Sequence, residues 1–396
     1  MRHEETAPRL VTPAFIALAA TALAFFIAGG VVLPVVTPFA IDRLRSDEVG
    51  AGFAYGAFSV AALVLRPVVG WAADRFGRRP LLVVGALTSC AALAFHLVVD
   101  SLALFILARA FLGIAEAFFF VAAFAAGADM APSARRGEAL NLLSLSVYLG
   151  VGIGPLIGEL AVKNAGFSAV WLVALAITAG AAALVAFVPE TSPTVLGGPG
   201  DRPRSRLFHP AGILPGLLIL AGTTGMAAFL AFLPLHTEAV GLGGAGVPLA
   251  IYAGLVIVLR LIFAKLPDQI GAARLSGGAL AVGAVGLLIL GLAPTPVGVI
   301  AGTVVFGCGI AFLVPGLLTL AVSRVSEMER GSVVGTASAF FDLAFGVAPA
   351  VLGVVAARVG FGGVFLVSAG VSAIGFIALM VWSRSDRSQA RATLAT

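Results

Sequence analysis

Six charged residues stand inside runs that are otherwise apolar: Arg66, Arg109, Glu116, Glu159, Arg260 and Asp342. Each costs at least about 2.5–3.5 kcal/mol at the centre of a bilayer unless it is paired or wet. Arg109 and Glu116 are seven residues apart, which places them on one helix face, roughly 10 Å apart along the axis. That is too far for direct contact unless both side chains bend together, but it lets them line one proton-accessible path. A carboxylate beside an apolar cavity holds its proton, and an approaching guanidinium releases it. The chemistry this pattern suits is proton transfer coupled to movement, with a structural ion pair to other helices as the competing reading. Other chemistries lack residues. GVGIG at 150–154 lacks the third glycine and the preceding strand of a dinucleotide site. No Walker sequence and no nucleophile–base constellation occurs, so the chain reads as no enzyme, with no cofactor. Cys90 and Cys308 both lie in apolar runs, without a disulfide or metal-binding pattern. His96 and His236 are single histidines that read as structural.

These residues need a frame that holds them in lipid. The 396-residue chain is 60% hydrophobic and 11% charged, against about 25% charged in soluble domains. Runs that are apolar all round exclude a barrel, whose strands alternate. Twelve runs are long enough for helices, at about 12–40, 50–70, 81–99, 102–127, 138–161, 166–188, 211–235, 245–264, 275–293, 296–322, 332–357 and 361–382. They are numbered spans 1 to 12. The first has no charge from Val11 to Ile41, longer than a signal-peptide core of about 7–15 residues, so it reads as a retained helix. The Pro-, Gly- and Arg-rich stretch from Pro189 to His209 reads as a linker. The expected organisation is a six-helix bundle over 1–189, a linker over 190–209 and a second bundle over 210–396. One set of loops carries 17 Lys and Arg, the other 4, and three arginines lie inside spans. The positive-inside rule then puts both termini in the cytoplasm. The same placement turns the net charge of +5 into a topology signal and away from nucleic acid.

The two halves repeat at a constant offset of 194 residues. Val64-Leu65-Arg66 recurs as Val258-Leu259-Arg260, Asp74 as Asp268, Gly77 as Gly271, and Arg136-Gly137 as Arg330-Gly331. Gly152 and Pro155 recur as Gly346 and Pro349. Six helices per half give the second copy the same orientation, so the repeat is parallel, as in transporters whose bundles rock about a midplane site. The fold class expected is an all-α membrane protein of twelve helices in two six-helix bundles. Gly150, Gly154 and Gly158 share one face of span 5, where small residues let helix backbones approach. Pro155 permits a kink there.

Gly70-x-x-x-Asp74-Arg75-x-Gly77-Arg78-Arg79 resembles the loop 2–3 signature of the major facilitator superfamily, and Asp268, Gly271 and Arg274 its decayed second copy. Arg109-Ala-Phe-Leu-Gly113 resembles the superfamily's Arg-bearing motif linked to proton coupling. Gly150-x-x-x-Gly154-Pro155-x-x-Gly158 resembles its antiporter motif, an expected hinge, and Pro34 with Pro38 a motif of the 12-span drug–proton antiporters at altered spacing. Pro189-Glu190-Thr191 resembles a common ending of span 6. The resemblance implies that Asp74 latches onto the start of span 11 near Gly331 and Ser332, with Gly70, Arg75, Gly77, Arg78 and Asp268 in the same latch. Gly70 and Gly77 are expected to allow the tight turn. Arg75, Arg78 and Arg79 are expected to remain in water. It also places spans 2 and 11 side by side. Arg66 and Asp342 both sit roughly 12–16 Å deep, so they are expected to touch. The repeat maps that pair to Arg260 and Tyr148. Spans 1, 4, 7 and 10 would line the cavity, with contributions from 2, 5, 8 and 11 and with Pro34, Glu116, Tyr148, Arg260 and Asp342 on its wall, and Arg66, Arg109, Glu116 and Asp342 would couple protons.

The function expected is a proton-coupled secondary transporter that exports small lipophilic compounds by alternating access. The 28 Phe against 3 Trp and 3 Tyr suit apolar substrates. The alternative is a proton-coupled importer of a sugar or other small metabolite, which the scarcity of Asn, Gln and Trp in the spans disfavours. A non-transporting scaffold or receptor would have no need of buried charge. The expected partners are a small molecule, protons and the lipid bilayer, with no nucleic acid, no metal and a monomeric state. The proton gradient would supply the energy. Arg outnumbers Lys 22 to 2, a composition of GC-rich bacterial genomes, so the expected location is a bacterial inner membrane.

Overall fold

Two helical runs are too long to be single spans. Arg136–Leu184 has 49 residues and Arg330–Leu394 has 65. A straight helix of the shorter length would reach about 74 Å, against a hydrocarbon layer of about 30 Å. Each run is broken at one glycine in the left-handed region, Gly166 (φ 76°) and Gly360 (φ 75°). These two glycines are also 194 residues apart.

The computed structural model describes residues 10–132, 135–191, 209–263, 266–322, 325 and 329–394. Among them no strand occurs, and nine helices are long and apolar enough to cross a membrane. Two of the nine are the broken runs, and the shorter apolar helix Gly246–Ile262 is span 8. The described helices therefore supply all twelve spans of an all-α membrane fold. Residues 192–208, most of the expected linker, lie outside the described residues.

The chain forms two compact units. The first comprises Met1–Val32, Ala61–Val99 and Leu107–Arg202, and the second Leu33–Val60, Asp100–Ile106 and Pro203–Thr396. Span 1 changes unit beside Pro34. The regular helix Pro13–Val32 gives way there to a 3-10 turn at Leu33–Val35, one helical turn at Val36–Pro38 and a wide turn at Phe39–Arg43. Pro34 and Pro38 carry no N–H and interrupt the ladder. The arginine-poor end of span 2 also belongs to the second unit, where it packs on span 11. A Cβ on Gly52 would overlap the Pro349 carbonyl, one on Gly56 the Gly346 carbonyl, and one on Gly353 the Glu48 carbonyl. Thr37 Oγ1 donates to Ala231 O at 2.8 Å within the same unit.

In the first unit the glycine face of span 5 meets span 1. A Cβ on Gly30 would overlap the carbonyl of Gly150, one on Gly150 the carbonyl of Phe26, and one on Gly154 the backbone of Gly30. The two backbones touch, as small residues at this spacing permit. Pro155 and Gly158 are buried on the same span. Beside this seam Phe25 of span 1 stacks on Phe119 of span 4, with ring centroids 3.8 Å apart.

The connection between spans 2 and 3 is a single residue. Span 2 runs Glu48–Phe76, Gly77 has φ 96°, and span 3 runs Arg78–His96. Its copy has Gly271 at φ 83° before the helix Ala272–Leu292. Gly70 does not belong to this turn, contrary to expectation. It lies inside the span 2 helix with open space where a Cβ would be, because one positive φ is enough to reverse the chain.

Candidate functional site

Span 4, Leu102–Met130, positions most of the expected coupling residues. Leu104, Leu107 and Phe111 are exposed apolar side chains on one face, the face that suits lipid. Advancing 100° per residue puts Arg109, Glu116, Phe120 and Phe124 on the opposite face. Arg109 is buried, while Glu116, Phe120 and Phe124 are half-buried. Phe105, Leu112 and Ala123 on one flank and Ala117 on the other are fully buried or nearly so. Partial exposure thus returns on the side turned from lipid, and that face carries the carboxylate. The side chain of Arg66, from span 2, joins it. Its guanidinium lies 5.4 Å from the Phe120 ring centroid, and Phe120 stacks on Phe124 at 4.3 Å. A ring face attracts a cation electrostatically, which helps to hold Arg66 at membrane depth. Arg109 stands within electrostatic reach of His96. His96 donates from Nδ1 to Ala92 O at 2.7 Å and leans on Trp171.

In the second unit Asp342 is buried. Phe341 and Phe345, on the same span, pair at 4.9 Å. Arg260 of span 8 donates from Nε to Ala311 O in span 10 at 2.8 Å. Tyr148 and Pro34 are half-buried and buried in the first and second units respectively. Arg66, Arg109 and Glu116 belong to the first unit, and Asp342 and Arg260 to the second. His236 is buried and bonds Leu290 O through Nε2 at 3.1 Å.

The signature stretch after span 2 has a different chemistry from the one expected. Arg78 is not in water but 6% exposed. Its Nε donates to Asp129 Oδ2 at 3.0 Å, and its Nη1 donates to Ala73 O. The end of span 4 brings Asp129, itself partly exposed, under the turn, and with the buried Ala73 carbonyl it draws the cation inward. Glu190 accepts from the backbone N–H groups of Arg78 at 2.8 Å and Arg79 at 3.2 Å. A carboxylate there satisfies two orphan donors and suits the positive end of the helix dipole. It also occupies the space where a Cβ of Gly77 would be. Arg79 Nη2 reaches Ala186 O at 3.0 Å. Arg75 is exposed, with its guanidinium over Trp71 and Phe76 at 5.5 and 5.8 Å. The side chains of Asp74, Asp268 and Ser332 lie outside the described residues. Asp129 escaped the sequence reading, and Glu190 was legible only as part of a motif.

The profile of the Major Facilitator Superfamily matches residues 15–336 and, overlapping them, 268–395. The chain belongs to the Major Facilitator Superfamily. It is a multi-pass membrane protein and a secondary transporter that works by alternating access, not an enzyme. An uncharacterized MFS-type transporter of Salmonella typhimurium is 26% identical over 357 residues, 87% of this chain and 90% of that protein. The uncharacterized MFS-type transporter YhhS of Escherichia coli is 26% identical over 367 residues, covering 90% and 89%. Among solved structures, a bacterial homolog of the human lysosomal transporter Spinster, inward-facing and occupied, aligns with TM-score 0.80 at 15% identity, covering 94% of this chain and 98% of that one. A point mutant of the nucleoside transporter NupG aligns with TM-score 0.76 at 15% identity, covering 93% and 99%. These superfamily members share the twelve-helix fold.

Proposed function

We propose that this transporter exports small lipophilic compounds in exchange for protons. The observation that carries the reading is the face of span 4 turned from lipid, where Glu116 lies one helical turn from Phe120 and two from Phe124. The rings offer an apolar wall. The carboxylate, with Arg109 on the same face and Arg66 over Phe120, offers a group that can take and release a proton. Asp342 is the second proton-linked carboxylate, and its contact with Arg66 belongs to one state of the cycle. The protein is a monomer of a bacterial inner membrane with both termini cytoplasmic, needs no cofactor, and draws on the proton gradient. Asp74 latches to the start of span 11 in the state closed on the cytoplasmic side.

Expression in a pump-deficient bacterium, challenged with a panel of toxic lipophilic compounds, tests this. The expected result is resistance to several compounds, lost in Glu116→Gln and Asp342→Asn at equal protein levels. Unchanged sensitivity across the panel, together with proton-driven uptake of a nutrient, reverses the direction and substrate class. Resistance retained in both variants removes the two carboxylates from the coupling.

A further inference from the structure

Arg260 is an arginine inside a membrane span, and it donates to a backbone carbonyl. The identity of that carbonyl explains the bond. Span 10 consists of Pro296–Ile310 and Leu313–Val322, joined through Ala311 and Phe312. The ladder holds on both sides of the joint. Ala311 N donates to Gly307 O at 3.2 Å, and Gly316 N donates to Phe312 O at 2.9 Å. The rung between them would run from residue 315 to Ala311 O, and residue 315 is proline, which has no N–H. Ala311 is fully buried, so water does not fill the gap. Arg260 Nε does, at 2.8 Å.

A related bond is made nearby at a helix end. His236 of span 7 bonds Leu290 O at 3.1 Å, and the residue four places on is Pro294. Leu290 stands in the last turn of Ala272–Leu292, where carbonyls lack helical donors in any case, so of the two bonds only that of Arg260 replaces a donor that a proline has removed from within a span. Helices kink at such positions, and side chains that re-satisfy the freed group control the kink.

We propose that Arg260 is a positioning residue that acts through span 10: it staples the proline-broken rung at Ala311 and sets how freely the two limbs of that span bend during alternating access. Its charge makes the bond strong, and its place on span 8 ties the bending of span 10 to that helix. The role does not depend on the substrate or on proton coupling, so a failed export assay leaves it standing.

Hydrogen–deuterium exchange of the full-length protein in lipid nanodiscs tests it, using Arg260→Ala, Pro315→Ala and the double variant. In Arg260→Ala the amides from Ala311 to Leu317 should exchange about tenfold faster, with exchange in spans 2 and 3 unchanged. Pro315→Ala restores an N–H opposite Ala311 O, so the double variant should return to the wild-type rate. A residue that only supported general stability would raise exchange throughout, and Pro315→Ala would not repair it. Unchanged exchange in Arg260→Ala, or a double variant no better than the single, overturns the proposal. If Arg260→Ala does not fold, recovery of folded protein in the double variant supports it and failure of both overturns it.

Discussion

Gly77 and Gly271 use the same backbone turn in different surroundings. Both have positive φ, and both stand before the first residue of a helix. Around Gly77 the Glu190 carboxylate caps span 3, and Arg78 is drawn in to Asp129. Gly271 is followed by two alanines, and a Cβ there would meet nothing within 4 Å. The tight seam differs in the same way. Gly30, Gly150 and Gly154 touch in the first half, and their copies at the 194-residue offset are Thr224, Ala344 and Ala348. A duplicated half keeps the turns and breaks that lay out its helices. The contacts that stiffen or loosen them are free to diverge.

Matched substitutions in the two copies sharpen this contrast. The largest effect is expected at the seam. Overpacking costs about 1–3 kcal/mol where side chains can shift, but Gly154→Ala collides with backbone, and purification should yield no monodisperse protein. Its counterpart Ala348→Gly should cost about 1 kcal/mol and purify normally. At the turn, Gly271→Ala bears only the cost of positive φ with extended ψ, about 1–3 kcal/mol. Gly77→Ala bears that and displaces the Glu190 cap, worth about 1 kcal/mol more, so thermal melting should rank it lower. Arg78→Ala leaves the partly exposed Asp129 without its cation. It should cost about 2 kcal/mol, less than a fully buried pair, read by the same melting curves. The smallest effect is expected from Arg135→Ala. That arginine bonds Glu138 at 2.8 Å on the exposed surface, where pairs contribute little, and the melting temperature should not move. Equal losses at Arg78 and Arg135 would refute the distinction between the buried and the exposed cluster.

The sequence made the spans and the repeat legible because both depend on residue type and spacing along the chain. Gly77 and Gly271 were found by their offset, and Gly166 and Gly360 carry the same offset. Partners supplied by distant segments were not legible. Arg78 looks like a loop cation because the positive-inside rule accounts for it without a partner. Asp129 lies 51 residues away and becomes its neighbour only when span 4 returns to the arginine-rich side. Arg260 was expected on the cavity wall, paired through the repeat with Tyr148. The signal for its carbonyl bond was Pro315 four residues after Ala311, readable only once spans 8 and 10 are known to adjoin. The charged stripe of span 4 was readable because its members share one helix.

The breaks at Gly166 and Gly360 bear on how this protein can be probed. Spans 5 and 6, and spans 11 and 12, are each joined by one residue with helix on both sides. No non-helical stretch longer than that one residue stands at either joint. A protease has no extended strand to bind there, an antibody has almost no peptide to recognise, and an inserted tag would have to unwind two helix ends. Twisting one helix of such a pair must also drag the other through a single pair of dihedral angles. Each pair is therefore expected to move as a hairpin, and a label on either helix reports on both.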